Sequence, residues 1–349
     1  MKNTQEPLRV AIVGATGYTG SELLRILWQH PFVEITAVTS ERHAGKDISS
    51  IHPHFRNIIP YELTHADALH PEETDIVFLA LPHGVSMDYV QKLSDKHCRI
   101  IDLSGDYRLS SPEVYQEWYG KSHVHPEGFP DAVYGLLELY RDRIVSSRLT
   151  ANPGCYPTCS ILATLPLLEA GLIDPTRIII DAKSGTTGAG ISPNAVTHFS
   201  NVSDNFRAYG LKTHRHTIEI EEQLRTLGAA TDSVLFTPHL LPVDRGILAT
   251  IYSQPRKSIT EKDLREVYHA RYADEPFVRM RDMPPTLKDV RGSNYCDIHV
   301  TYDGRTGQII ALATIDNLVK GAAGQAVQNM NCMLGLPEDT GLSHIPMHP

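Results

Sequence analysis

The stretch that decides the fold is Leu8-Arg9-Val10-Ala11-Ile12-Val13-Gly14-Ala15-Thr16-Gly17-Tyr18-Thr19-Gly20. Its first six residues have the pattern of a buried strand, and leucine and isoleucine recur at helical spacing after Gly20. A strand, a glycine-rich turn and a helix in this order are typical of a dinucleotide-binding βαβ unit, whose helix N-terminus holds the pyrophosphate. The spacing is G-x-x-G-x-x-G instead of the commoner G-x-G-x-x-G, so a plain tight turn is the alternative. We expect a nucleotide to contact Gly14, Thr16, Gly17, Tyr18 and Thr19.

The end of the second apolar strand, residues 33–39, bears on the type of nucleotide. An NAD site usually places an acidic residue here to bind the ribose 2′-hydroxyl. Ser40 takes this place, and the cations Arg42 and Lys46 follow it. A hydroxyl with nearby cations suits a 2′-phosphate, which favours NADP over NAD. Two alternatives stay open: Glu41 would restore the acid after a one-residue shift, and the cations could belong to a solvated loop.

The composition of the 349 residues is that of an ordinary globular protein, with 41% hydrophobic and 21% charged residues. A formal net charge of −9 without a basic block gives no indication of nucleic-acid binding. No segment approaches the roughly 20 apolar residues that span a bilayer, and residues 1–7 lack the apolar core of a signal peptide. Five scattered cysteines indicate reduced thiols in the cytoplasm, without a disulfide scaffold or a metal site.

Strand and helix patterns divide the chain into two predicted domains. Strands alternate with helical stretches over residues 1–152, which are expected to form a Rossmann-type doubly wound α/β domain. Residues 153–316 carry further strands and a hairpin signal at 303–307, and we expect an α+β domain with a mostly antiparallel or mixed sheet. A helix rich in small residues, within about 317–349, is expected to complete the first domain, with Asn317 near the nicotinamide.

One cysteine lies in a distinctive setting, the stretch Asn152-Pro153-Gly154-Cys155-Tyr156-Pro157-Thr158. Pro157 suits the first turn of a helix, so Cys155 is predicted at a helix N-terminus. Unpaired N–H groups and the helix dipole favour a thiolate there, and the thiolate is the nucleophilic form of cysteine. The alternative is a buried structural cysteine in a tight turn.

Two histidines, His214 and His216, precede a helical stretch with three glutamates near its start. The positive helix end and Arg215 between them both disfavour the imidazolium form, so a neutral imidazole is available as a base. The chain has 18 histidines, so an inert role is the alternative for each of these two.

Three further stretches are candidates for contact with an anion or a substrate. Arg108 follows the end of a strand and is either a carboxylate or phosphate anchor or part of a surface ion pair. The glycine-rich loop 184–190 could bind an anion through successive N–H groups, or be a flexible surface loop. The stretch 238–246 resembles an active-site turn more than a helix or a strand.

A nicotinamide site, an activated thiol and a neutral imidazole together fit thiol-mediated redox chemistry between an aldehyde and an acyl derivative. Four stretches then carry a specific resemblance over nearly the whole chain: 14–20, 152–158, 214–220 and 321–331. They resemble the N-acetyl-gamma-glutamyl-phosphate reductase family, within the aspartate-semialdehyde dehydrogenase superfamily. Ile218 and Leu137 stand where that family commonly has proline. Neither side chain carries reacting atoms, so these departures concern the stiffness of loops.

The resemblance implies a reaction of arginine biosynthesis. Cys155 is expected to form a thioester with the γ-acyl group of N-acetyl-glutamyl phosphate and to release phosphate. NADPH then supplies a hydride, which gives N-acetylglutamate semialdehyde. His216 is expected as the general acid and base and His214 as a substrate contact, although these roles could be exchanged. Four residues are candidates for contact with the substrate: Arg108, Asn152, Ser184 and Gly185.

The resemblance also implies a homodimer or homotetramer, with residues 153–316 as the catalytic and dimerisation domain and a small acyl phosphate as the only other partner. Two alternatives stay open. The first is a related semialdehyde dehydrogenase of the amino-adipate or aspartyl type. The second is a non-catalytic NADP-binding sensor, which needs the nucleotide site but no reactive thiol.

Overall fold

The computed structural model describes residues 6–349, which form two compact units. The first comprises residues 6–153 and Ala323–Ser343, and the second comprises Gly154–Ala322 and His344–Pro349. The chain thus passes into the second unit after residue 153 and returns to the first at residue 323. The divisions predicted from the sequence lay after residues 152 and 316.

The first unit is built on a six-stranded parallel sheet in the order β2-β1-β3-β4-β6-β5. The apolar runs form its central strands because both faces of such a sheet are covered, and β1 and β3 are buried almost throughout. The predicted Rossmann-type architecture is confirmed. The strands are β1 (Leu8–Val13), β2 (Val33–Thr39), β3 (Ile76–Leu79), β4 (Arg99–Asp102), β5 (Ala132–Tyr134) and β6 (Leu149–Ala151).

Five α-helices belong to this unit. The predicted helix of small residues begins as a single π-helical segment, Val319–Ala323, and continues as a buried α-helix from Gly324. That α-helix packs against α1 and α4 of the same unit. The helices are α1 (Tyr18–Leu27), α2 (Ser86–Leu93), α3 (Pro112–Tyr119), α4 (Leu137–Ser146) and α9 (Gly324–Met333).

The second unit contains a seven-stranded mixed sheet in the order β11-β12-β13-β10-β7-β9-β8. Two of its strand pairs are parallel, β7 with β9 and β11 with β12, and the other four are antiparallel. The predicted α+β architecture and the hairpin at 303–307 are confirmed. The strands are β7 (Ile173–Ser184), β8 (Arg207–Ala208), β9 (Val234–Leu240), β10 (Ile247–Pro255), β11 (Val278–Met280), β12 (Cys296–Asp303) and β13 (Gln308–Ile315).

Four α-helices complete the second unit: α5 (Cys155–Glu169), α6 (Phe199–Val202), α7 (His216–Thr226) and α8 (Glu261–Tyr272). Helix α5 is apolar all round and packs against β7, β10 and β13 on one side and against α7 and α8 on the other. The opposite face of the sheet exposes large apolar side chains, including Leu235 at 59% and Tyr252 at 36%. Helix α5 is therefore the buried centre of this unit.

One local prediction is wrong. The stretch 238–246 resembles an active-site turn more than a helix or a strand in sequence, but its first three residues continue β9 as far as Leu240. They pair with residues 182–184 of β7, so a long neighbouring strand extends the ladder despite Pro238. Only residues 241–246 form a connection between strands.

Candidate active site

The glycine-rich turn after β1 has the shape of a phosphate-binding turn. Gly14 lies at φ +90°, and a Cβ there would come within 2.5 Å of the Ala80 carbonyl oxygen. A Cβ at Gly20 would come within 2.4 Å of the Gly14 carbonyl oxygen, so these two glycines allow α1 to pack on the turn. At Gly17 the nearest atom to a Cβ would be 4.0 Å away, and no side chain caps α1. The open backbone at this helix N-terminus fits a pyrophosphate.

The residues after β2 include two side chains that could contact the ribose of a bound nucleotide, Ser40 and Glu41. Ser40 is buried, and its hydroxyl lies 3.3 Å from the Thr16 hydroxyl of the glycine-rich turn. Glu41 is engaged elsewhere, because its carboxylate accepts the Ala66 N–H at 2.9 Å and pairs with His65 Nδ1 at 3.1 Å. These two bonds lower the pKa of Glu41. The serine, and not the acid, therefore lies beside the turn.

Three other predicted nucleotide contacts lie on the same unit. Thr19 is half-buried in the first turn of α1, while Tyr18 and Arg42 are exposed. Their side chains are thus reachable from solvent, and Tyr18 and Thr19 belong to the glycine-rich stretch itself.

Arg108 is buried, with 7% of its surface exposed, so the alternative of a surface ion pair is wrong. Its Nε donates to the Asn152 carbonyl at 2.7 Å, and its Nη2 donates to the Leu103 carbonyl at 2.8 Å. The side chain of Asn152 accepts a hydrogen bond from Asn329 Nδ2 at 3.1 Å. Arg108 and Asn152 are therefore held together just beyond the carboxyl ends of β4 and β6, the edge where ligands bind in such sheets.

Two buried carboxylates shape the loop that carries Arg108. Asp106 accepts hydrogen bonds from the Gly84 N–H at 2.7 Å and the Tyr115 hydroxyl at 3.0 Å. Asp102 accepts the N–H and the hydroxyl of Ser104 at 2.9 and 2.8 Å. Burial, reinforced by the charge of Asp106, raises the pKa of Asp102 to about 6. Hydrogen bonds to these two carboxylates thus fix the loop that follows β4 and carries Arg108.

In the second unit, Cys155 is the first residue of α5, which confirms its predicted placement at a helix N-terminus. All five cysteines are thiols, and Cys155 is half-buried whereas the other four are buried. Gly154, the N-cap of the helix, donates its N–H to Glu219 Oε1 at 2.7 Å. Glu219 is fully buried in α7, so the turn before the thiol is tied to that helix.

The two candidate histidines lie side by side at the start of α7. Their ring centroids are 4.8 Å apart, and the backbone N–H of His216 donates to His214 Nδ1 at 3.1 Å. Since Nδ1 accepts this bond, the proton of a neutral His214 lies on Nε2. Burial, with a smaller effect of Arg215, lowers the pKa of His214 to about 4. His214 is therefore a neutral hydrogen-bond donor near pH 7.

Two tyrosines connect the thiol to the histidines. The ring of Tyr156 lies 5.7 Å from that of His214 and 5.9 Å from that of His216. The Tyr209 hydroxyl donates to the Tyr156 hydroxyl at 3.2 Å. Burial, with a smaller effect of Cys155, raises the pKa of Tyr209 to about 12. Both hydroxyls are therefore protonated near pH 7 and are hydrogen-bonding groups, not bases.

The loop 184–190 does not form the expected anion nest. The N–H groups of Gly185, Thr186 and Thr187 donate to carbonyl oxygens of residues 243–246, at 2.9 to 3.1 Å. The prediction that these successive N–H groups bind an anion is therefore wrong, because the protein itself already pairs them. Ser184 is buried at the end of β7, and its hydroxyl donates to the carbonyl of Gly185 at 3.0 Å.

Asn317, the last predicted nucleotide contact, lies in the second unit and is buried. Its Oδ1 accepts the Gly246 N–H at 2.8 Å, and its Nδ2 donates to the Thr187 hydroxyl at 3.0 Å. The side chain thus joins two loops of this unit, and its contact with a nicotinamide stays a prediction.

The structure therefore groups the predicted residues in two sets. Those for the nucleotide turn, with Arg108 and Asn152, belong to the first unit. Cys155, His214 and His216 gather around Tyr156 in the second. The role of Glu219 as a partner of Gly154 was not predicted, although its place three residues after His216 puts both on one helical face. Tyr156 and Tyr209 were not predicted either, because no local pattern gave a signal for them.

Residues 6–349 contain neither a candidate metal site nor a candidate membrane span. No group of three or more histidine, cysteine or acidic side chains is arranged to hold a metal ion. No helix of the described part has the length and apolarity needed to cross a membrane.

Solved structures share this fold. Aspartate semialdehyde dehydrogenase II of Vibrio cholerae, complexed with ASA, superposes with a TM-score of 0.73 at 17% identity, covering 95% of this chain and 99% of that one. Aspartate semialdehyde dehydrogenase with NADP from Candida albicans gives a TM-score of 0.69 at 16% identity, covering 94% and 99%.

Two family models match the chain, semialdehyde dehydrogenase, NAD binding domain, at residues 9–147 and semialdehyde dehydrogenase, dimerisation domain, at residues 155–317. Relatives named N-acetyl-gamma-glutamyl-phosphate reductase are 50% identical in Citrifermentans bemidjiense, 48% in Desulforamulus reducens and 44% in Bacillus cereus. Each alignment covers 98% of this chain and all of the relative. The chain is an enzyme that belongs to the N-acetyl-gamma-glutamyl-phosphate reductase family.

Proposed function

We propose that this enzyme reduces N-acetyl-L-glutamyl 5-phosphate to N-acetyl-L-glutamate 5-semialdehyde and phosphate, with NADPH, as a step of arginine biosynthesis. The observation that carries the proposal is the half-buried thiol of Cys155 at the N-terminus of α5, tied through Gly154 to the helix that begins with His216. The relatives that bear this activity in their names align over nearly the whole chain.

Cys155 Sγ is the proposed nucleophile. The thiol gives up its proton, and the sulfur attacks the γ-carbonyl carbon of the acyl phosphate. A carbon–sulfur bond forms, the bond from that carbon to the phosphate oxygen breaks, and phosphate leaves with the electron pair. The helix dipole of α5 stabilises the thiolate before the attack. Bound NADPH supplies the hydride that reduces the resulting thioester to the aldehyde. Cys155 then departs as a thiolate.

His216 is the proposed general base for the Cys155 proton, and it returns that proton to the thiolate at the end of the cycle. His214 suits this role poorly, because its pKa near 4 lies far from the pH at which the enzyme works. As a neutral imidazole with its proton on Nε2, His214 instead suits a hydrogen bond to a substrate oxygen. If the two roles were exchanged, substitution of His214, and not of His216, would remove the general base.

Three residues are proposed to hold the substrate carboxylate and phosphate: Arg108, Asn152 and Ser184. Gly185 is not among them, because its N–H already donates to the Gly246 carbonyl at 2.9 Å. Arg108 carries the argument, because a buried guanidinium fixed by two carbonyls is an oriented cation. Ser184 lies at the end of β7, and its hydroxyl faces that of Tyr156 closely enough to lower the Tyr156 pKa against the larger effect of burial.

The choice of NADP over NAD is also a proposal. It is supported by Ser40 beside Thr16, by Arg42 nearby, and by the engagement of Glu41 with Ala66 and His65. The glycine-rich turn would hold the pyrophosphate through Gly14, Gly17 and the start of α1.

A homodimer or homotetramer is proposed as the working form. It is supported by the exposed apolar side chains on the open face of the seven-stranded sheet, a face that another subunit would cover. The five thiols fit the reducing cytoplasm in which we place the enzyme.

The test is an assay of NADP reduction with N-acetylglutamate semialdehyde, with and without phosphate. We expect activity that requires phosphate in the wild-type enzyme and no activity in Cys155→Ser, which should still bind NADPH. Higher kcat/KM for the aspartyl or amino-adipyl compound would instead assign a related semialdehyde dehydrogenase. NADPH binding without turnover on any of the three would assign a nucleotide sensor.

A further inference from the structure

The π-helical segment Val319–Ala323 bears directly on the proposed nucleophile. A Cβ built on Gly321 would lie 2.8 Å from Cys155 Cβ and 3.2 Å from Cys155 Cα. Real Cβ atoms essentially never come closer than 3.0 Å to another heavy atom in this way. Both residues belong to the second unit. Only a residue without a side chain therefore fits between this segment and the start of α5.

Space, and not backbone conformation, is what requires glycine here. Gly321 is absent from the thirteen glycines that adopt a positive φ, so its backbone is one that any residue can adopt. Glycine is required because a Cβ at this position would meet two neighbours, Cys155 and the Cδ1 of Ile315 at 3.2 Å. This distinguishes Gly321 from glycines that serve tight turns.

The segment that presses on Cys155 is itself firmly held. The Gly321 N–H donates to the Asp316 carbonyl at 3.0 Å. This is the π-helical pattern, in which the acceptor lies one residue further back along the chain than in an α-helix. The fully buried carboxylate of Asp316 accepts the N–H groups of Leu318 and Val319 at 2.9 and 3.2 Å. Its other oxygen accepts the Gly292 N–H at 2.7 Å. Asp316 thus anchors the π-helical segment to the body of the unit.

Cys155 is consequently fixed on two sides. Glu219 holds the preceding peptide through the Gly154 N–H, and the Gly321 backbone lies against Cα and Cβ. A side-chain rotamer that turned Sγ towards Gly321 would collide with that backbone, so fewer directions remain for the sulfur.

We propose that Gly321 is a positioning residue for the Cys155 thiol. Its missing side chain lets the π-helical segment abut Cys155 and restrict Sγ to the direction from which it attacks the acyl carbon. This inference rests on the proposed function, in which Cys155 is the nucleophile. Small π-helical insertions are frequent at functional sites, and here the insertion has a defined mechanical role.

The test is Gly321→Ala in the full-length enzyme. The added methyl must displace Cys155, and we expect kcat to fall roughly 10- to 100-fold, because small misplacements of reacting groups have effects of this size. KM for the acyl phosphate and the dissociation constant of NADPH should stay within about twofold of wild type, since the added methyl would face Cys155 and Ile315. The burst of phosphate release should slow in proportion to kcat, which a general loss of folded enzyme would not produce.

The matched control is Gly304→Ala, in the exposed β12–β13 hairpin, where the nearest atom to a Cβ would be 3.9 Å away. It should behave as wild type. Wild-type kcat in Gly321→Ala would overturn the proposal. So would a return to wild-type kcat in the double variant Gly321→Ala/Ile315→Val, because the harmful clash would then be with Ile315 and not with Cys155.

If Gly321→Ala does not fold, Asp316→Asn is the second test. An amide nitrogen cannot accept the Gly292 N–H, so this variant loses the bond that ties the π-helical segment to the body of the unit, without adding heavy atoms. Its kcat should fall while KM stays unchanged, and unchanged kcat would overturn the proposal. Failure of the proposed function has a different signature: Cys155→Ser would then retain turnover.

Discussion

The carboxylate of Glu219 accepts the backbone N–H of Gly154 at 2.7 Å, and so joins the helix of the two histidines to the turn that presents Cys155. The two residues are 65 positions apart in the chain. Because Glu219 follows His216 by nearly one helical turn, this single bond sets where the His216 helix lies relative to the thiol. Glu219 therefore orients reacting groups without needing to contact the substrate.

Replacing Glu219 by alanine should reduce activity through this bond. The buried Gly154 N–H would lose its acceptor, which costs about 1–3 kcal/mol of stability. We expect kcat to fall roughly 10- to 100-fold, because the thiol and the His216 helix lose their common anchor. Steady-state kinetics and chemical denaturation measure both effects.

Glu219→Gln is the informative companion, because its amide oxygen can still accept the Gly154 N–H. It should keep most of the stability and recover a large part of kcat. If both variants lose activity equally while the glutamine variant stays fully stable, the charge of Glu219 matters and the positioning role is wrong.

The pKa of His214 predicts how stability depends on pH. The folded protein holds this pKa near 4, whereas an exposed histidine titrates near 6.5. The unfolded chain therefore binds the proton at higher pH than the folded chain does, and acid favours unfolding. Between pH 7 and pH 5 this group alone should remove about 2 kcal/mol of stability.

Urea denaturation of the wild type and of His214→Gln, each at pH 7 and pH 5, isolates this contribution. The glutamine variant cannot titrate at this position, so its stability should fall less on acidification. Equal losses in the two proteins would show that His214 is not the group responsible.

Local patterns predicted the parts of the fold that local physics determines. The bounds of β1 and β2, the hairpin at 303–307 and the start of α5 near Cys155 all follow from alternation, turn residues and proline placement. These features depend on neighbours within a few positions along the chain.

The missed features depend on distant partners. Residues 238–240 extend β9 because β7 lies beside them, which overrides the signal of Pro238. The N–H groups of residues 185–187 look available in sequence, yet carbonyl oxygens of residues 243–246 accept them. The contact of Gly321 with Cys155 likewise joins segments that no spacing rule relates.

The choice between NADPH and NADH should depend on Arg42 and not on Glu41. Arg42→Ala should raise KM for NADPH roughly tenfold, since a charge-assisted bond is worth about 1.5–3 kcal/mol, and should leave KM for NADH unchanged. Glu41→Gln should leave both values unchanged, because Glu41 faces the Ala66 N–H and His65. A selective loss of NADH use in Glu41→Gln would place this acid on the ribose and refute the NADP assignment.

Two alanine substitutions in the glycine-rich turn should separate cofactor binding from folding. Gly17 has an extended backbone, φ −78° and ψ 166°, and a Cβ there meets nothing closer than 4.0 Å. Gly17→Ala should therefore melt like the wild type, while its methyl obstructs the pyrophosphate and weakens NADPH binding at least about tenfold, or about 1.4 kcal/mol. Gly20→Ala forces a Cβ to within 2.4 Å of the Gly14 carbonyl oxygen, and this overpacking should lower stability by about 1–3 kcal/mol. NADPH fluorescence titration and thermal denaturation measure the two effects, and normal NADPH affinity in Gly17→Ala would mean that the pyrophosphate does not approach this turn.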